Sequence, residues 1–375
     1  MAGIAQPRQY SFDLFRARRR YDWPLLLSAA TLLLVGLLSL HSLDVATGSA
    51  HLRRQAIRIV IGLIPLSVMY FVPPKAWLRF ATPLYWLNLM LLVSVLLIGK
   101  SGKGATRWID LGPIEFQPSE LAKLLTVLTL SAFLFSRLGE IRRLKTFLLG
   151  LVHVAAPLAL VFAQPHLGAT LVIVVTWLGV SLAAGVPIRY LGAGVLIVIA
   201  GLGLAWNLPG VLKPYQRERV EAMFSPDEKG NAFQPVRAQI AFGLGGVTGA
   251  GYLQGDQKKG KFIPEQHNDF IFTVVGEEGG LIGSALVIFL FGFFFYRAWL
   301  VVVRAEDRFH KMVAAGVFSV FTFHTIVNLG MNLQLLPVVG LWLPFMSYGG
   351  TAIWLCMAGV GLLLNIRNQQ EEAVF

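Results

Sequence analysis

Ten stretches of this chain are apolar over the roughly 20 residues that a helix needs to cross the hydrocarbon core of a membrane. The chain is 55% hydrophobic and only 14% charged, and a soluble domain cannot bury that much apolar surface. We therefore predict an all-α polytopic membrane protein with about ten transmembrane helices. The predicted spans are 23–43, 55–72, 78–98, 118–136, 147–163, 167–185, 190–207, 269–296, 311–330 and 350–366.

The arginine and lysine residues between these spans predict how the helices are oriented. With the N-terminus in the cytoplasm every short inner loop is basic, as the positive-inside rule requires, and ten spans return the C-terminus to the cytoplasm. This gives a cytoplasmic tail at 1–22, a single membrane domain at 23–366 and a second cytoplasmic tail at 367–375. Within the domain, residues 208–268 form a large extracytoplasmic loop between the seventh and eighth helices.

Basic residues also occur in the outer segments, against the trend of that rule; Arg54, Arg107 and Lys258 are among them. They indicate either a solvated loop surface or a cleft for an anionic headgroup such as a phosphate or pyrophosphate. In the long loop, the spacing at 214–224 predicts an amphipathic helix on the outer leaflet. The glycine run at 243–251 would let the backbone pass close to a ligand or to another helix.

The fourth span begins with the polar stretch 117-QPSELAKLL-125. Pro118 suits a first helical turn, and Glu120 suits the positive end of the helix dipole. Glu120 and Lys123 are three residues apart, so they share a helix face and can pair. Ionisable groups inside a membrane cost at least a few kcal/mol each and usually line a polar cavity. The pair is therefore either a lock between helices or the wall of a cavity.

The eighth span opens with 264-PEQHNDFIFTVVGEEGGLIG-283, in which Asp269 stands where outer loop becomes helix. The next residues are apolar, so this carboxylate would be reachable from water yet poorly hydrated. A carboxylate in that setting is a competent general base. The alternative is an aspartate that caps the N-terminus of the eighth helix.

Two more acids, Glu277 and Glu278, lie further along the same span. They point in different directions, so at most one shares the face of Asp269. Gly276, Gly280 and Ser284 form a stripe of small residues typical of close helix packing. We therefore expect structural roles for the two glutamates, as hydrogen-bond acceptors from neighbouring helices.

Five stretches in order carry a resemblance to a known family. The chain resembles the SEDS proteins (shape, elongation, division, sporulation) over nearly its whole length, and 251-GYLQGDQ-257 is more similar to the rod-elongation, RodA-type branch than to the division branch. The matching stretches are 106-TRWIDLGPIEFQPSELAK-123, 164-QPHLGAT-170, 245-GGVTGAGYLQGDQ-257, 264-PEQHNDFIFTVVGEEGGLIG-283 and 340-GLWLPFMSYGGTA-352.

The resemblance implies a ten-helix glycosyltransferase that polymerises lipid II into peptidoglycan strands outside the cytoplasmic membrane. It also implies that Asp269, in the motif containing His267, is the essential acid. Gln117, Glu120 and Lys123 match central-cavity residues of the family.

One departure from the family pattern is His166, which stands where relatives usually have aspartate in Gln-Pro-Asp-Leu-Gly. If that acid helps to hold a cation in relatives, this chain lacks the corresponding carboxylate. The sequence therefore gives His166 no role as a ligand.

The reaction implied here is attack by an acceptor 4-hydroxyl on the anomeric carbon of a polyprenyl-pyrophosphate-linked disaccharide. The hypothesis is that Asp269 takes the hydroxyl proton while Arg107, Lys258 and Arg54 stabilise the leaving pyrophosphate. A divalent cation, Mg²⁺ or Mn²⁺, is a possible further contributor. The sequence itself has no His-x-x-x-His or Cys/His cluster that would indicate a structural metal site.

The rival hypothesis is a flippase or transporter for the same lipid. A flippase needs a polar path that reaches the cytoplasmic side, and the inner halves of the spans contain almost no ionisable residues. Expected partners are lipid II, membrane lipids, a class B penicillin-binding transpeptidase and other elongation-complex proteins, with no nucleic acid. The expected location is the bacterial inner membrane.

Overall fold

Ten long helices dominate the part of the chain that the computed structural model describes, which is residues 21–102, 105–110, 115–208, 217–218, 221 and 233–372. Each of the ten is long and apolar enough to cross a membrane, so the predicted ten-helix membrane architecture is confirmed. The helices are α1 (Trp23–Thr47), α2 (His51–Phe71), α3 (Pro74–Ile98), α4 (Pro118–Phe135), α5 (Leu144–Ala163), α6 (Leu167–Ala184), α7 (Ile188–Asn207), the short α8 (Phe233–Gly245) and α9 (Asp256–Lys259), α10 (Phe272–Arg304), α11 (Arg308–Asn332) and α12 (Gly350–Glu372).

Local sequence sets the ends of several helices. Asp22 caps α1, with its carboxylate accepting a hydrogen bond from the backbone N–H of Leu25 at 3.1 Å. Gly48 ends the same helix in the left-handed conformation, at φ 71°. Asp307 caps α11 in the same way, accepting from the N–H of Phe309 at 2.8 Å. Most span boundaries lie within about four residues of those that hydropathy predicts, but the eighth span ends at Arg304 and the tenth at Glu372, beyond the predicted ends at 296 and 366.

The helices divide into a central group and a peripheral group. In α4, α11 and α12, 83%, 67% and 89% of the apolar window is buried inside the protein, whereas in α2, α3 and α7 the share is 17%, 17% and 11%. The peripheral helices thus present most of their surface to lipid. Because α4 and α11 are central, their polar side chains face protein rather than hydrocarbon, which is where such groups are tolerated.

A small antiparallel sheet occupies the segment between α3 and α4, where the predicted spans leave residues 99–117 as a connection. Its strands pair in the order β1, β2, β3, and Asp110 on β2 stands opposite Glu115 on β3. Strands this short show no clear alternation of apolar and polar residues, so pattern reasoning misses them. The strands are β1 (Lys100–Gly102), β2 (Ala105–Asp110) and β3 (Glu115–Phe116).

Two features predicted from the sequence lie almost wholly outside the described residues. These are the N-terminal cytoplasmic tail as far as residue 20, and the amphipathic helix at 214–224 apart from residues 217, 218 and 221. Both therefore stay predictions.

Helix α10 is broken at Gly280, which has φ 60° and ψ −155°. The break leaves backbone carbonyls of the preceding turn free to accept other hydrogen bonds, and the glycine run at 243–251 donates to two of them. Ala250 donates its N–H to the carbonyl of Glu277 at 2.9 Å, and Gly251 donates to that of Glu278 at 3.1 Å. The close packing predicted for the small-residue stripe is found at Gly276 and Gly280, where an added Cβ would meet the Phe242 ring and the backbone of the glycine run, but the helix is broken at Gly280. The prediction that the glycine run passes close to another helix is confirmed.

The side chains of the two glutamates in α10 are tied to neighbouring helices. Glu277 accepts a hydrogen bond from the N–H of Gln257 in α9 at 2.8 Å. Glu278 accepts from the hydroxyl of Ser42 in α1 at 2.5 Å and forms an ion pair with Lys258 in α9. The expectation that these acids serve as hydrogen-bond acceptors between helices is confirmed.

We expect Gly280→Ala to destabilise the protein by about 2 kcal/mol, since an L-residue is strained at this φ and ψ. An added Cβ would also meet the backbone of the glycine run, at Gly249 N and Val247 O. Thermal unfolding in detergent would show a lower midpoint. Gly292→Ala in the same helix is the matched control, because its Cβ would meet open space. A Gly280→Ala protein that unfolds with the wild type would contradict this account of the break.

Candidate active site

A cavity of about 540 Å³ lies at the end of the bundle where α4, α6, α10 and α12 begin. The predicted topology places that end at the outer face of the membrane. Asp269, the proposed base, is in the cavity wall. The lining residues are Arg58, Arg107, Trp108, Asp110, Glu115, Gln117, Glu120, His166, Glu265, His267, Asn268, Asp269, Gly340, Trp342, Tyr348, Gly349, Gly350, Thr351 and Ala352.

The charges in this wall differ from a basic cleft for an anionic headgroup, which was one of the two alternatives that the sequence left open. Among the described residues, two arginines and five carboxylates line the cavity: Arg58, Arg107, Asp110, Glu115, Glu120, Glu265 and Asp269. The basic residues of α9 do not take part. The cavity is therefore a mixed site, in which cations can bind phosphate oxygens and carboxylates can bind hydroxyl or amide groups.

The first turns of α4 position two of the predicted site residues. Gln117 precedes the helix, and its backbone N–H donates to the hydroxyl of Thr351 in α12 at 3.1 Å. Glu120 is only 2% exposed, and each carboxylate oxygen has a donor. Lys123 Nζ lies 2.7 Å from Oε1, and the indole N–H of Trp342 lies 2.9 Å from Oε2. The predicted Glu120–Lys123 pair is confirmed. Glu120 lines the cavity, whereas Lys123 lies buried behind it.

The backbone around Asp269 is fixed by its neighbours. The Asp269 carbonyl accepts hydrogen bonds from the amides of Asn328 and Asn332 in α11, at 2.8 and 2.9 Å. The preceding carbonyl, that of Asn268, accepts from the hydroxyl of Ser347 at 2.7 Å. These bonds hold the chain at the start of the eighth span, so the position of the Asp269 carboxylate in the wall is set by rigid elements.

Asp269 does not cap the eighth span. Helix α10 begins at Phe272, its N-cap residue is Ile271, and no side chain accepts a capping hydrogen bond there. The alternative interpretation of Asp269 as an N-cap is therefore wrong. Asp269 is half-buried where the loop meets the helix, which is the boundary position predicted for it.

His267 lies in the wall beside an aromatic cluster. Its ring stacks on that of His51 with centroids 4.5 Å apart, and the Tyr348 ring meets the edges of both. Asp44 accepts from Nδ1 of His51 at 2.8 Å and so orients that ring. The guanidinium of Arg58 lies 4.2 Å from the centroid of Tyr348. Stacking therefore links the helix α2 side of the cavity to the Asp269 side.

The arginine of α2 that lines the cavity is not the one that the sequence analysis named. Arg54 is exposed and does not line the cavity, whereas Arg58, one helical turn further on, does. The signal was present, since residues four apart share a helix face and Arg58 lies closer to the membrane. Arg107 is placed as predicted: it lines the cavity, and its guanidinium donates to the carbonyl of Pro165.

Lys258 is, after Lys123 and Arg54, the third predicted site residue that does not line the cavity. Its side chain is 1% exposed and is paired with Glu278. A lysine held in this way between helices has no exposed surface to offer a headgroup.

His166, to which the sequence gave no role, lies in the cavity wall. Its Nδ1 is 3.2 Å from the hydroxyl of Ser119 and 3.5 Å from the amide nitrogen of Gln117. The sequence also gave no site role to Glu265, Trp342 or Tyr348, because each becomes a wall residue only when the loops before α10 and α12 meet.

A metal site made by the protein alone has no support in the described part of the chain, where no three His, Cys, Asp or Glu side chains are grouped closely enough to hold an ion. A divalent cation at the cavity would take part of its coordination from a bound diphosphate or from water.

Comparison with known proteins agrees with this architecture. Peptidoglycan glycosyltransferase MrdB of Escherichia coli K12 is 35% identical over 346 residues, covering 91% of this chain and 93% of MrdB. A probable peptidoglycan glycosyltransferase FtsW of Allochromatium vinosum is 35% identical over 381 residues, covering 96% and 94%.

Two solved structures share the fold. A chain from a study of how a peptidoglycan synthase complex coordinates polymerization and crosslinking superimposes with a TM-score of 0.79 at 30% identity, covering 93% of this chain and 98% of that one. The rod shape determining protein RodA of Thermus thermophilus gives a TM-score of 0.69 at 28% identity, with coverage of 93% and 97%. The family model for FtsW, RodA and SpoVE, described as cell cycle protein, matches residues 23–372. The chain therefore belongs to this family, the SEDS proteins.

Proposed function

We propose that this protein is a peptidoglycan glycosyltransferase that polymerises lipid II at the outer face of the bacterial cytoplasmic membrane during cell elongation. The observation that carries the proposal is the half-buried Asp269 carboxylate, in one cavity wall with Arg58, Arg107 and Glu120. The names of the relatives, MrdB and FtsW, agree with that activity. The description of RodA as a rod shape determining protein agrees with a role in elongation.

The proposed chemistry is a single displacement. The acceptor 4-hydroxyl oxygen forms a bond to the anomeric carbon of the donor, and the bond from that carbon to the diphosphate oxygen breaks. Asp269 accepts the hydroxyl proton, and the polyprenyl diphosphate leaves with the bonding electron pair. Attack from the opposite face inverts the α-linked donor to a β-glycosidic bond. General-base catalysis of this kind contributes about 10²- to 10⁴-fold.

The diphosphate leaving group gains negative charge as it departs, and fixed cations near it lower the barrier. Arg58 and Arg107 are the described arginines of the cavity wall, and their planar guanidinium groups suit phosphate oxygens. A divalent cation bound to the same diphosphate would add further stabilisation when present. The proposed role of Gln117, His166 and Glu120, which line the same cavity, is to orient the sugars by hydrogen bonding.

The rival function is a flippase for the same lipid. Beyond Glu120 the next ionisable side chain on α4 is Lys123, which is fully buried in its ion pair. Helix α4 carries no ionisable side chain between Lys123 and its cytoplasmic end, whereas a flippase needs a polar route to the cytoplasmic side. The glycosyltransferase is therefore the better-supported proposal.

A class B penicillin-binding transpeptidase is the proposed partner, together with other elongation-complex proteins. The proposal draws on the related chain from the peptidoglycan synthase complex, which joins polymerization to crosslinking. A transpeptidase crosslinks the strands that a polymerase makes, so the two activities need the same product at the same membrane face.

The deciding experiment uses purified protein in lipid vesicles with fluorescent lipid II. Glycan strands resolved on a gel, with and without the transpeptidase and with a chelator, would establish polymerisation and its requirements. In parallel, a membrane-impermeant quencher would report transfer of lipid II between leaflets. Leaflet transfer without strand formation would favour the flippase instead.

We expect Arg58→Gln to lower the initial rate of polymerisation at limiting lipid II by about 10- to 30-fold, the cost of one charge-assisted contact of about 1.5–2 kcal/mol. Arg54→Gln is the matched control, one turn away on the same helix and exposed; its loss should be within about threefold. Equal losses in the two variants would argue that outer charge in general, rather than the cavity, binds the headgroup.

A further inference from the structure

The Glu120 carboxylate belongs to a closed ring of contacts among four residues, one of which takes part through its backbone as well as its side chain. Lys123 Nζ is 2.7 Å from Glu120 Oε1 and 3.0 Å from Nε2 of His324 in α11. His324 Nδ1 is 3.2 Å from the backbone carbonyl of Trp342, whose indole N–H returns to Glu120 Oε2 at 2.9 Å. The ring joins α4, α11 and the loop before α12.

The chemistry of its neighbours fixes the state of His324. The lysine ammonium can only donate, so Nε2 accepts and carries no proton. A carbonyl oxygen can only accept, so Nδ1 carries the proton and donates to Trp342. His324 is thus a neutral imidazole in one tautomer, with both nitrogens used.

The residues of the hydrogen-bonded ring also pack against one another. The imidazole of His324 lies against the Trp342 indole, with centroids 4.0 Å apart, and Lys123 Nζ lies 5.3 Å from the centroid of that indole. His324 and Lys123 are both 0% exposed. Neither lines the cavity, whereas Glu120 and Trp342 both do.

We propose that His324 is a positioning residue for the polymerisation reaction. It holds Lys123 and Trp342 in the places from which each binds one oxygen of Glu120, so that the Glu120 carboxylate keeps a fixed direction in the wall of the cavity that Asp269 also lines. This inference rests on the proposed function. His324 itself touches no substrate.

Glutamine and phenylalanine at position 324 separate the two contacts of the imidazole. His324→Gln keeps an oxygen that accepts from Lys123 and an amide N–H that donates to Trp342. His324→Phe keeps the stacking and removes both hydrogen bonds. We expect Gln to retain activity within about threefold, and Phe to lower kcat by about 10- to 100-fold, because displacement of a site group by about 1 Å has effects of that size.

The experiment measures strand formation against lipid II concentration for wild type and both variants, with thermal unfolding recorded for each. His310→Phe is the matched control: it is the same substitution at a buried histidine on the same helix, about 21 Å from position 324 at 1.5 Å per residue. Trp342→Phe tests the other half of the ring, since it keeps an aromatic face and removes the donor to Glu120; its kcat should fall with that of His324→Phe.

The outcomes separate cleanly. Activity in His324→Gln, with loss in His324→Phe and Trp342→Phe but not in His310→Phe, supports the positioning role. An active His324→Phe, a Gln variant as impaired as Phe, or losses that follow the unfolding temperature would overturn it. An inactive wild type would overturn the proposed function itself, and this inference with it.

Discussion

Asp269→Asn is expected to abolish strand formation, with a loss of about 10²- to 10⁴-fold in kcat, the usual contribution of a general base. Asparagine keeps the shape of the side chain but cannot take a proton from the acceptor hydroxyl. The backbone bonds from Asn328 and Asn332 go to the carbonyl of residue 269 and survive the substitution. The variant should therefore fold and still bind lipid II. Purified protein, a gel assay for strands and a lipid II binding measurement test both statements.

The control for this variant is Asp256→Asn in α9. Its carboxylate is 79% exposed and pairs only with Lys259 among the described ion pairs, and such surface pairs contribute little. We expect its rate to stay within about twofold of wild type. Strand formation by Asp269→Asn at the wild-type rate would exclude the base role. A variant that loses lipid II binding as well as turnover would instead make Asp269 a binding residue.

The ten spans were predictable because hydropathy is a property of whole segments. A run of about 20 apolar residues has the length and composition of a membrane-spanning helix, whatever the rest of the chain does. The pair of Glu120 and Lys123 was predictable for a local reason, since residues three apart share a face of any helix. The close approach of the glycine run to another helix was also predictable, because glycine has no Cβ to keep two backbones apart.

The composition of the cavity was harder to predict because its wall comes from distant parts of the chain. Arg58, Glu265 and Trp342 meet only after α2, α10 and α12 have packed. The number of basic residues in the outer segments was compatible with a positive cleft. Burial and ion pairing, however, decide which of those charges reach the cavity. Lys258 shows the limit most clearly: its position in an outer loop agreed with a headgroup role, yet its partner, Glu278, lies 20 residues further along the chain.

Helix α10 illustrates a second limit. Gly276, Gly280 and Ser284 have the spacing of a packing stripe, but the left-handed φ of Gly280 breaks the helix between them. Nothing in a single sequence distinguishes a glycine that permits close packing from one that permits a break, because both uses depend on the absence of Cβ. The break becomes visible only through its partner, the glycine run that pairs with the opened turn.

Lys258→Met is expected to lower the free energy of unfolding by about 3–5 kcal/mol, the usual cost of leaving one charge of a buried pair without its partner. Glu278 is 8% exposed and would keep only the hydroxyl of Ser42 as a donor among its described side-chain contacts. Unfolding in detergent measures the effect. Lys259→Met is the neighbouring control, with a side chain that is 48% exposed and an expected effect below about 0.5 kcal/mol.

A double variant separates this structural role from the headgroup role that the sequence suggested for Lys258. If the lysine serves Glu278, Lys258→Met combined with Glu278→Gln removes both charges and should recover at least about 2 kcal/mol of the loss. If the lysine binds pyrophosphate, the single variant should unfold as the wild type does while needing more lipid II for the same rate. Glu278→Gln would then restore nothing. Because α9 is joined to α1 and α10 through this pair, recovery of stability would make Lys258 the residue that fastens the outer loop to the bundle, leaving the diphosphate to Arg58 and Arg107.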